Sequence, residues 1–289
     1  MSRDGRSDVR SAVEPAPDRT SPTSDSRTRG VPMARLSLPR TQDRQVVRVG
    51  REVYRLRESE ARALATVGAF RVVRADDLQP IRSSRDAWSG DLRALAEQKL
   101  VQLRTVELNR EPTAVVVLTR AGKHLLETHR LEAEGRRQEF HAGLVKPREI
   151  AHDAQLYRMF QAEAARIESD GGRVERVVLD FELKRDYQRF LNRDDRPADA
   201  SHEDQMEAFA ADAKLPVVDG HLELPDLRIE FETPDGRVEY RDVELVTEHY
   251  SRSQLAGKSA AGFAQYRAAG AGARRGGTPF DPHHMERLT

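Results

Sequence analysis

The spacing of apolar positions changes several times along this chain, and each change marks an element. Ala61, Leu64, Ala65 and Ala69 recur at helical spacing and predict a helix over residues 59–70. A short second helix is expected at 74–78. A third, capped by Ser83 or Ser84, runs to about residue 98 with Trp88, Leu92, Leu95 and Ala96 as its apolar stripe. The period then falls to two. Residues 100–108 and 114–118 read as strands, and Asn109-Arg110-Glu111-Pro112 between them makes a hairpin. Thr119 stands where a helix cap belongs, ahead of Leu125 and Leu126.

Residues 130–148 form a polar, basic joint carrying Arg136, Arg137, Lys146 and Arg148. Helical spacing returns over 149–167 with Leu156, Met159, Phe160 and Ala164, and Gly171-Gly172 ends it. Val174, Val177, Val178, Leu179 and Phe181 predict a largely buried strand. Short helices are expected at 184–192 and 203–213, and residues 215–224 form a connection with room for one short strand. Residues 227–232 alternate, Pro234-Asp235-Gly236 turns the chain, and 238–247 returns as the hairpin partner. Ser251 or Ser253 starts a last helix that takes in Leu255, Ala256, Ser259, Phe263 and Tyr266. The Gly-rich stretch 270–277 offers little for a final strand, so the sheet is expected to end in a truncated edge or to be completed by a partner.

Composition narrows the class. The chain has 289 residues, room for two modest domains, and no cysteine, which excludes disulfides and thiolate chemistry. No apolar run approaches the length of a membrane span and the first 40 residues lack a signal-peptide core, so a cytoplasmic protein without a membrane partner is expected. Residues 1–48 are rich in Ser, Pro, Arg and Asp and read as a disordered arm. Forty-eight basic and 48 acidic residues cancel, so any nucleic-acid surface must be local.

The fold class expected is therefore α/β in the mixed, α+β sense: three helices, a hairpin and a helix over 49–135, then a mixed core over 149–268 and a flexible tail over 269–289. Leu92-Arg93-Ala94-Leu95-Ala96-Glu97-Gln98-Lys99-Leu100-Val101 and Val117-Leu118-Thr119-Arg120-Ala121-Gly122-Lys123 resemble the winged helix-turn-helix of bacterial regulators and relaxosome accessory proteins. In that arrangement the third helix enters a major groove. Arg82, Arg85 and Arg93 are then the candidate groove contacts, and Lys99, Arg104 and Arg110 reach backbone from the helix end and the wing. Double-stranded DNA is the partner this implies. Asp86, Asp91 and Glu97 on the same helix temper the charge, and a winged helix used for dimerisation or protein contact is the competing reading.

Three acids carry the chemistry of the second half. Asp226 follows Pro225 at a strand start. Asp242 and Glu244, two apart on the hairpin partner, share a sheet face. Carboxylates so placed can hold Mg2+, which polarises a phosphodiester and supplies hydroxide. Pro225-Asp226, Asp242-Val243-Glu244 and Lys258 resemble the plasmid replication-relaxation family, whose second part is similar to the PD-(D/E)XK nucleases with their restriction-endonuclease-like core. The resemblance covers roughly residues 50–268. It implies Asp226, Asp242 and Glu244 as metal ligands or base and Lys258 as phosphate stabiliser. The pattern departs at one place: an acid-x-Lys element would put lysine at 244 or 246, which are Glu and Val. Lys258, on the next helix, would have to substitute in space, and Glu163 and His152 are further candidates near the site. Gly257-Lys258-Ser259 lacks the preceding glycine of a P-loop, His202, Glu203 and Asp204 have no paired ligand element, and His283-His284 with Asp281 offers only nonspecific metal binding.

The leading expectation is a DNA-binding protein of plasmid replication, mobilisation or transcription-regulator type with a noncatalytic nuclease-like domain. A Mg2+-dependent DNA endonuclease and a protein-interaction adaptor are the alternatives, and a homodimer or a relaxosome-type protein partner is allowed.

Overall fold

The computed structural model describes residues 33, 35–78, 85–108, 110–131, 137–143, 146–193, 201–247, 250–267 and 287–288, with the side chains of 85–89, 147 and 148 excepted. The first half opens on a ribbon that the sequence reading placed partly in the N-terminal arm. Strands β1 (Gln45–Val49) and β2 (Glu52–Leu56) pair antiparallel around Gly50-Arg51, with Gly50 at φ +58°. Over residues 33 and 35–48 the expected disorder is not what forms: Met33, Leu36, Leu38 and Val47 are buried, because these few apolar side chains find a place in the core, and the rest of the expected arm lies outside the described residues.

Helix α1 (Glu58–Phe70) lies at the centre of this half. Leu64, Ala65, Val67, Ala69 and Phe70 are all without exposure, so the helix is covered on more than one side. Glu60, also inside, is held by Arg44 at 2.9 Å and accepts the Arg57 N–H at 3.0 Å, which closes the first turn. Strand β3 (Val73–Arg74), a 3-10 turn (Ala75–Leu78), α2 (Arg85–Glu97), β4 (Val101–Leu108), β5 (Glu111–Leu118) and α3 (Arg120–Thr128) follow. The strands form a sheet in the order β3-β5-β4. Thr119 caps α3 by accepting the Gly122 N–H at 3.0 Å, and its hydroxyl donates to the Lys99 carbonyl at 2.6 Å. Gly122 is dictated by space, since a Cβ there would lie 2.2 Å from the Leu100 carbonyl oxygen.

Helix α4 (Pro147–Ser169) belongs to both halves. Ile150 and Ala154 pack with Val72, Val115 and Val117 on the outer face of the three-stranded sheet. Tyr157 and Phe160 meet Phe70 with ring centroids 5.2 and 5.1 Å apart. Burying such side chains contributes on the order of 1.5–3 kcal/mol each. Arg158 forks onto Asp77 at 2.7 and 2.8 Å, and Arg71 reaches Glu149 at 3.2 Å. The expected joint is docked where it is described: Phe140 is buried, and the His141 and Gly143 N–H groups bond the Gly68 and Leu118 carbonyls at 2.7 and 2.9 Å.

The second half is built on strands β6 (Arg173–Leu179), β9 (Leu227–Glu232), β10 (Val238–Val246), β11 (Ala264–Arg267) and β12 (Arg287–Leu288), in the order β12-β11-β10-β9-β6. Between β6 and β9 come α5 (Asp180–Leu191), α6 (His202–Ala213) and the small pair β7 (Val217–Val218) and β8 (His221–Leu222). Strands β6, β9 and β10 run antiparallel in turn; α7 (Arg252–Ala260) then carries the chain over to β11, which lies parallel to β10. One face of the sheet is apolar and sits with α4 in a shared core through Leu227, Ile229, Phe231, Val243 and Leu245. The other carries buried ion pairs, Arg176–Glu230 at 2.7 Å and Arg228–Asp242 at 2.7 Å.

Three expectations change here. Phe181 lies in α5 rather than in the preceding strand, because the helix begins at Asp180. Phe263 and Tyr266 are not in the last helix: Gly262, at φ +78°, stops it, with the Phe263 N–H returning to the Lys258 carbonyl at 3.1 Å and the Gly262 N–H to Ser259 at 3.0 Å. The sheet edge is therefore not truncated at β10, since β11 and β12 extend it. Trp88 and residues 270–277 lie outside the described residues or side chains. Among the described residues no helix is long and apolar enough to cross a membrane.

Candidate functional site

The hairpin register decides which acids meet. Leu227 pairs with Val243 at the end of the β9–β10 ladder. One residue further out the strands exchange side-chain bonds. The Leu245 N–H donates to Asp226 Oδ2 at 2.8 Å, and the Asp226 N–H donates to Glu244 Oε2 at 3.2 Å. Each carboxylate is thus fastened to the strand of the other, and both are held at one end of the sheet. Lys258, from α7, stands 3.5 Å from Glu244 Oε1 and 3.1 Å from Glu223, and it donates to the Leu224 carbonyl at 2.7 Å. Lys258 thus lies beside Glu244 from the following helix.

The same register removes Asp242. It lies opposite Arg228, whose guanidinium grips both carboxylate oxygens at 2.7 and 2.8 Å and also donates to the Ala213 and Lys214 carbonyls at 2.5 and 2.9 Å. Arg228 is almost wholly buried, at 1% exposure, and needs that charge partner. Asp242 shares a sheet face with Glu244 as expected, but its carboxylate is committed to Arg228. The expected three-acid metal set reduces to Asp226 and Glu244.

Other groups complete the pair. His152, near the start of α4, lies 3.2 Å from Asp226 Oδ1 and 3.3 Å from Asp153. Burial works against its charge, but the bonds to Asp153 and Asp226 outweigh it, so the imidazole pKa is pushed up to about 10. Tyr250 donates to Glu244 Oε1 at 2.6 Å. Burial, and then the neighbouring Asp226, push the Glu244 carboxyl up to about 7, against the opposing pull of Tyr250 and Lys258. Burial works against the charge of Lys184, but its bond to Asp180 at 2.7 Å, and then the charges of Asp226 and Glu244, raise its pKa. Glu163 is elsewhere: wholly buried in α4, it takes the Tyr266 hydroxyl at 2.5 Å and Arg241 at 3.3 Å.

The donor set suits a hard divalent cation, which binds through one or two carboxylates and keeps waters. Among the described residues, Glu139, His141 and Glu182 also bring ligand atoms within 4.8 Å of one another. Glu139 is forked onto Arg185 at 2.8 and 2.5 Å, and Glu182 accepts the Leu179 N–H at 3.3 Å at the start of α5, so both are committed to the fold.

The expected DNA contacts are distributed as follows. Arg82 and the side chain of Arg85 lie outside what the structure describes. Arg93 is exposed on α2 and bonded to Glu97 at 2.8 Å. Lys99 is exposed in the turn after α2, at φ +59°. Arg104, on β4, is exposed beside Gln102 at 3.2 Å, and Arg110 is exposed at the hairpin end with φ +65°. Asp91, counted against this surface, is neutralised by Arg57 at 2.9 Å.

Sequence reasoning missed Tyr250, Glu223 and Lys184 around the acids, none of which carries a periodic signal. It also missed Arg228, although counting outward from Asp235 pairs positions 228 and 242. No protein-family model, curated protein or solved structure matches the chain.

Proposed function

We propose that the chain is a DNA-binding protein whose second half is a nuclease-like core, with Asp226 and Glu244 as a divalent-cation site and Lys258 as the cation facing a phosphodiester. The observation that carries the reading is the convergence of Asp226, Glu244 and Lys258 at one sheet end, from two adjacent strands and the following helix. The order α4, β6, β9, β10, α7, β11 supports a restriction-endonuclease-like core. The order α1, 3-10 turn, α2, β4–β5 hairpin, with β3 added to the sheet, supports a winged helix in the first half. Plasmid replication or mobilisation in the cytoplasm is the setting that the family resemblance implies, and duplex DNA is the partner.

In this reading Lys258 offsets negative charge growing on the phosphoryl oxygens. Without a bound ion Glu244, pushed up to about 7, is in the range suited to a base; with an ion bound it would serve as a ligand instead. A bound Mg2+ would be held by Asp226 and Glu244 and would supply Lewis-acid stabilisation of the phosphate. Lys184, beside Asp180, adds positive charge at the same end.

A specific observation favours a second reading, a centre that binds without cutting. Asp226 and Glu244 already accept from Leu245, Asp226 and Tyr250 and are ion-paired with His152 and Lys258, so every carboxylate oxygen has a protein partner. One experiment separates the two: duplex and single-stranded DNA mixed with the full chain, with and without Mg2+ or Mn2+, scored for shift and for products. Metal-dependent products that Asp226→Asn abolishes support the nuclease. Metal-independent shift without products supports the retired centre. Neither shift nor products refutes both.

A further inference from the structure

The β1–β2 ribbon has two unlike faces. Val47, Val49 and Leu56 turn inward to the core, with Tyr54 half-buried beside them. Val46, Arg48, Val53 and Arg55 turn outward and are exposed, the two valines at 51%. The register sets Val46 opposite Arg55 and Arg48 opposite Val53, so valine and arginine alternate across the outer face. Directly opposite residues share a face, and diagonal neighbours stand roughly 7–8 Å apart. Arg48 and Arg55 are such a diagonal pair, and Arg51 adds a third exposed guanidinium at the two-residue turn. Among the described residues no acidic side chain takes up any of the three, and Glu52 is the ribbon's lone acid.

The ribbon is also fixed in place. The Gln98 side-chain amide, just beyond α2, accepts the Arg55 N–H at 2.7 Å and donates to the Arg55 carbonyl at 3.1 Å. Arg57, next along the chain, holds Asp91 of α2 at 2.9 Å. The outer edge of β2 is thereby occupied at Arg55, which leaves the arginine face, not that stretch of edge, as the surface on offer.

We infer that this ribbon is a second duplex-DNA contact, entering the major groove beside the one occupied by α2 or lying against its phosphates. A two-stranded ribbon fits the width of a major groove. Arginines at a diagonal meet phosphates or guanine edges, and the valines between them suit thymine methyl groups. The inference rests on the DNA-binding reading of the first half and extends its surface from α2 and the β4–β5 hairpin to a rigidly attached neighbour.

The test is a salt titration of duplex binding by fluorescence anisotropy, using the full chain. Arg48→Ala, Arg51→Ala and Arg55→Ala combined should lower the slope of log K against log salt by about 2–3, since each phosphate contact contributes roughly 0.9. Val46→Ser with Val53→Ser should weaken binding without changing that slope. Thermal melts should be unmoved by the arginine changes, because the side chains are exposed. A triple variant with the parent's affinity and slope, while Arg93→Ala with Arg104→Ala loses both, would overturn the ribbon and leave the DNA reading standing. A parent with no duplex affinity overturns the two together. An unchanged slope with a shift in sedimentation from dimer to monomer makes the ribbon a self-association face and also refutes the inference.

Discussion

Replacing Asp242 with alanine distinguishes a structural carboxylate from a chemical one. The substitution leaves Arg228, at 1% exposure, inside the sheet without its charge partner. Removing one member of a buried pair typically costs about 3–5 kcal/mol. The low end applies, because Asp242 is itself 13% exposed and the Ala213 and Lys214 carbonyls still accept from the guanidinium. A loss of about 3 kcal/mol corresponds to roughly 6–12 °C in Tm for a chain of this order of size. Urea denaturation followed by circular dichroism, with the slope m checked for constancy, measures it. Arg228→Met combined with Asp242→Leu should recover most of the loss, since an apolar pair of similar volume removes the stranded charge. If Asp242→Ala costs less than about 1 kcal/mol yet abolishes metal-dependent cleavage, the assignment of Asp242 to Arg228 is wrong, and the acid belongs with Asp226 and Glu244.

Two further outcomes are expected. His152, with its pKa raised from 6.5 to about 10, contributes stability that is fully present below about 6.5 and lost as pH rises through about 10; His152→Gln should flatten that decline, and urea midpoints at pH 6, 8 and 10 that fall equally in parent and variant would refute the account. Gly122→Ala forces a Cβ to within 2.2 Å of a backbone oxygen and should cost about 1–3 kcal/mol, whereas Gly90→Ala, with nothing within 4 Å, should be neutral or stabilising by up to about 1 kcal/mol; thermal melts of the two read the contrast.

Elements with a strong period and a clear stop were legible from the residues. The helix over 59–70, the two strands around residue 110, the cap at Thr119 and the turn at Pro234-Asp235-Gly236 all fall where the pattern puts them, to within a few residues. The β1–β2 ribbon was overlooked although Val47, Val49, Tyr54 and Leu56 alternate about Gly50-Arg51, because the polar arm before it set the reading of that stretch. Strand β11 was hidden for the opposite reason. Leu255, Ser259, Phe263 and Tyr266 continue a helical spacing that Gly262 interrupts, and a single left-handed residue outranks the period. At the acids, the shared face of Asp242 and Glu244 was legible from strand geometry alone. What separates them is a cross-strand neighbour: Arg228 stands opposite one and not the other. The approach of Tyr250, His152 and Lys258 comes from three different segments, and no local spacing encodes it.

Helix α4 has a mechanical consequence. A joint between two modules opens when its few contacts can be exchanged for water, but here the joining helix is core to each side: Ile150 and Ala154 pack on the first half's sheet, and Leu156, Tyr157, Phe160 and Ile167 sit in one core shared by both halves. To swing apart, one half would have to give up part of its own interior. The chain therefore works as a caliper rather than a tethered pair. On the proposed DNA-binding reading, a duplex lying against the first half would meet Asp226 and Glu244 at one fixed distance and angle, and its footprint would repeat with a constant offset.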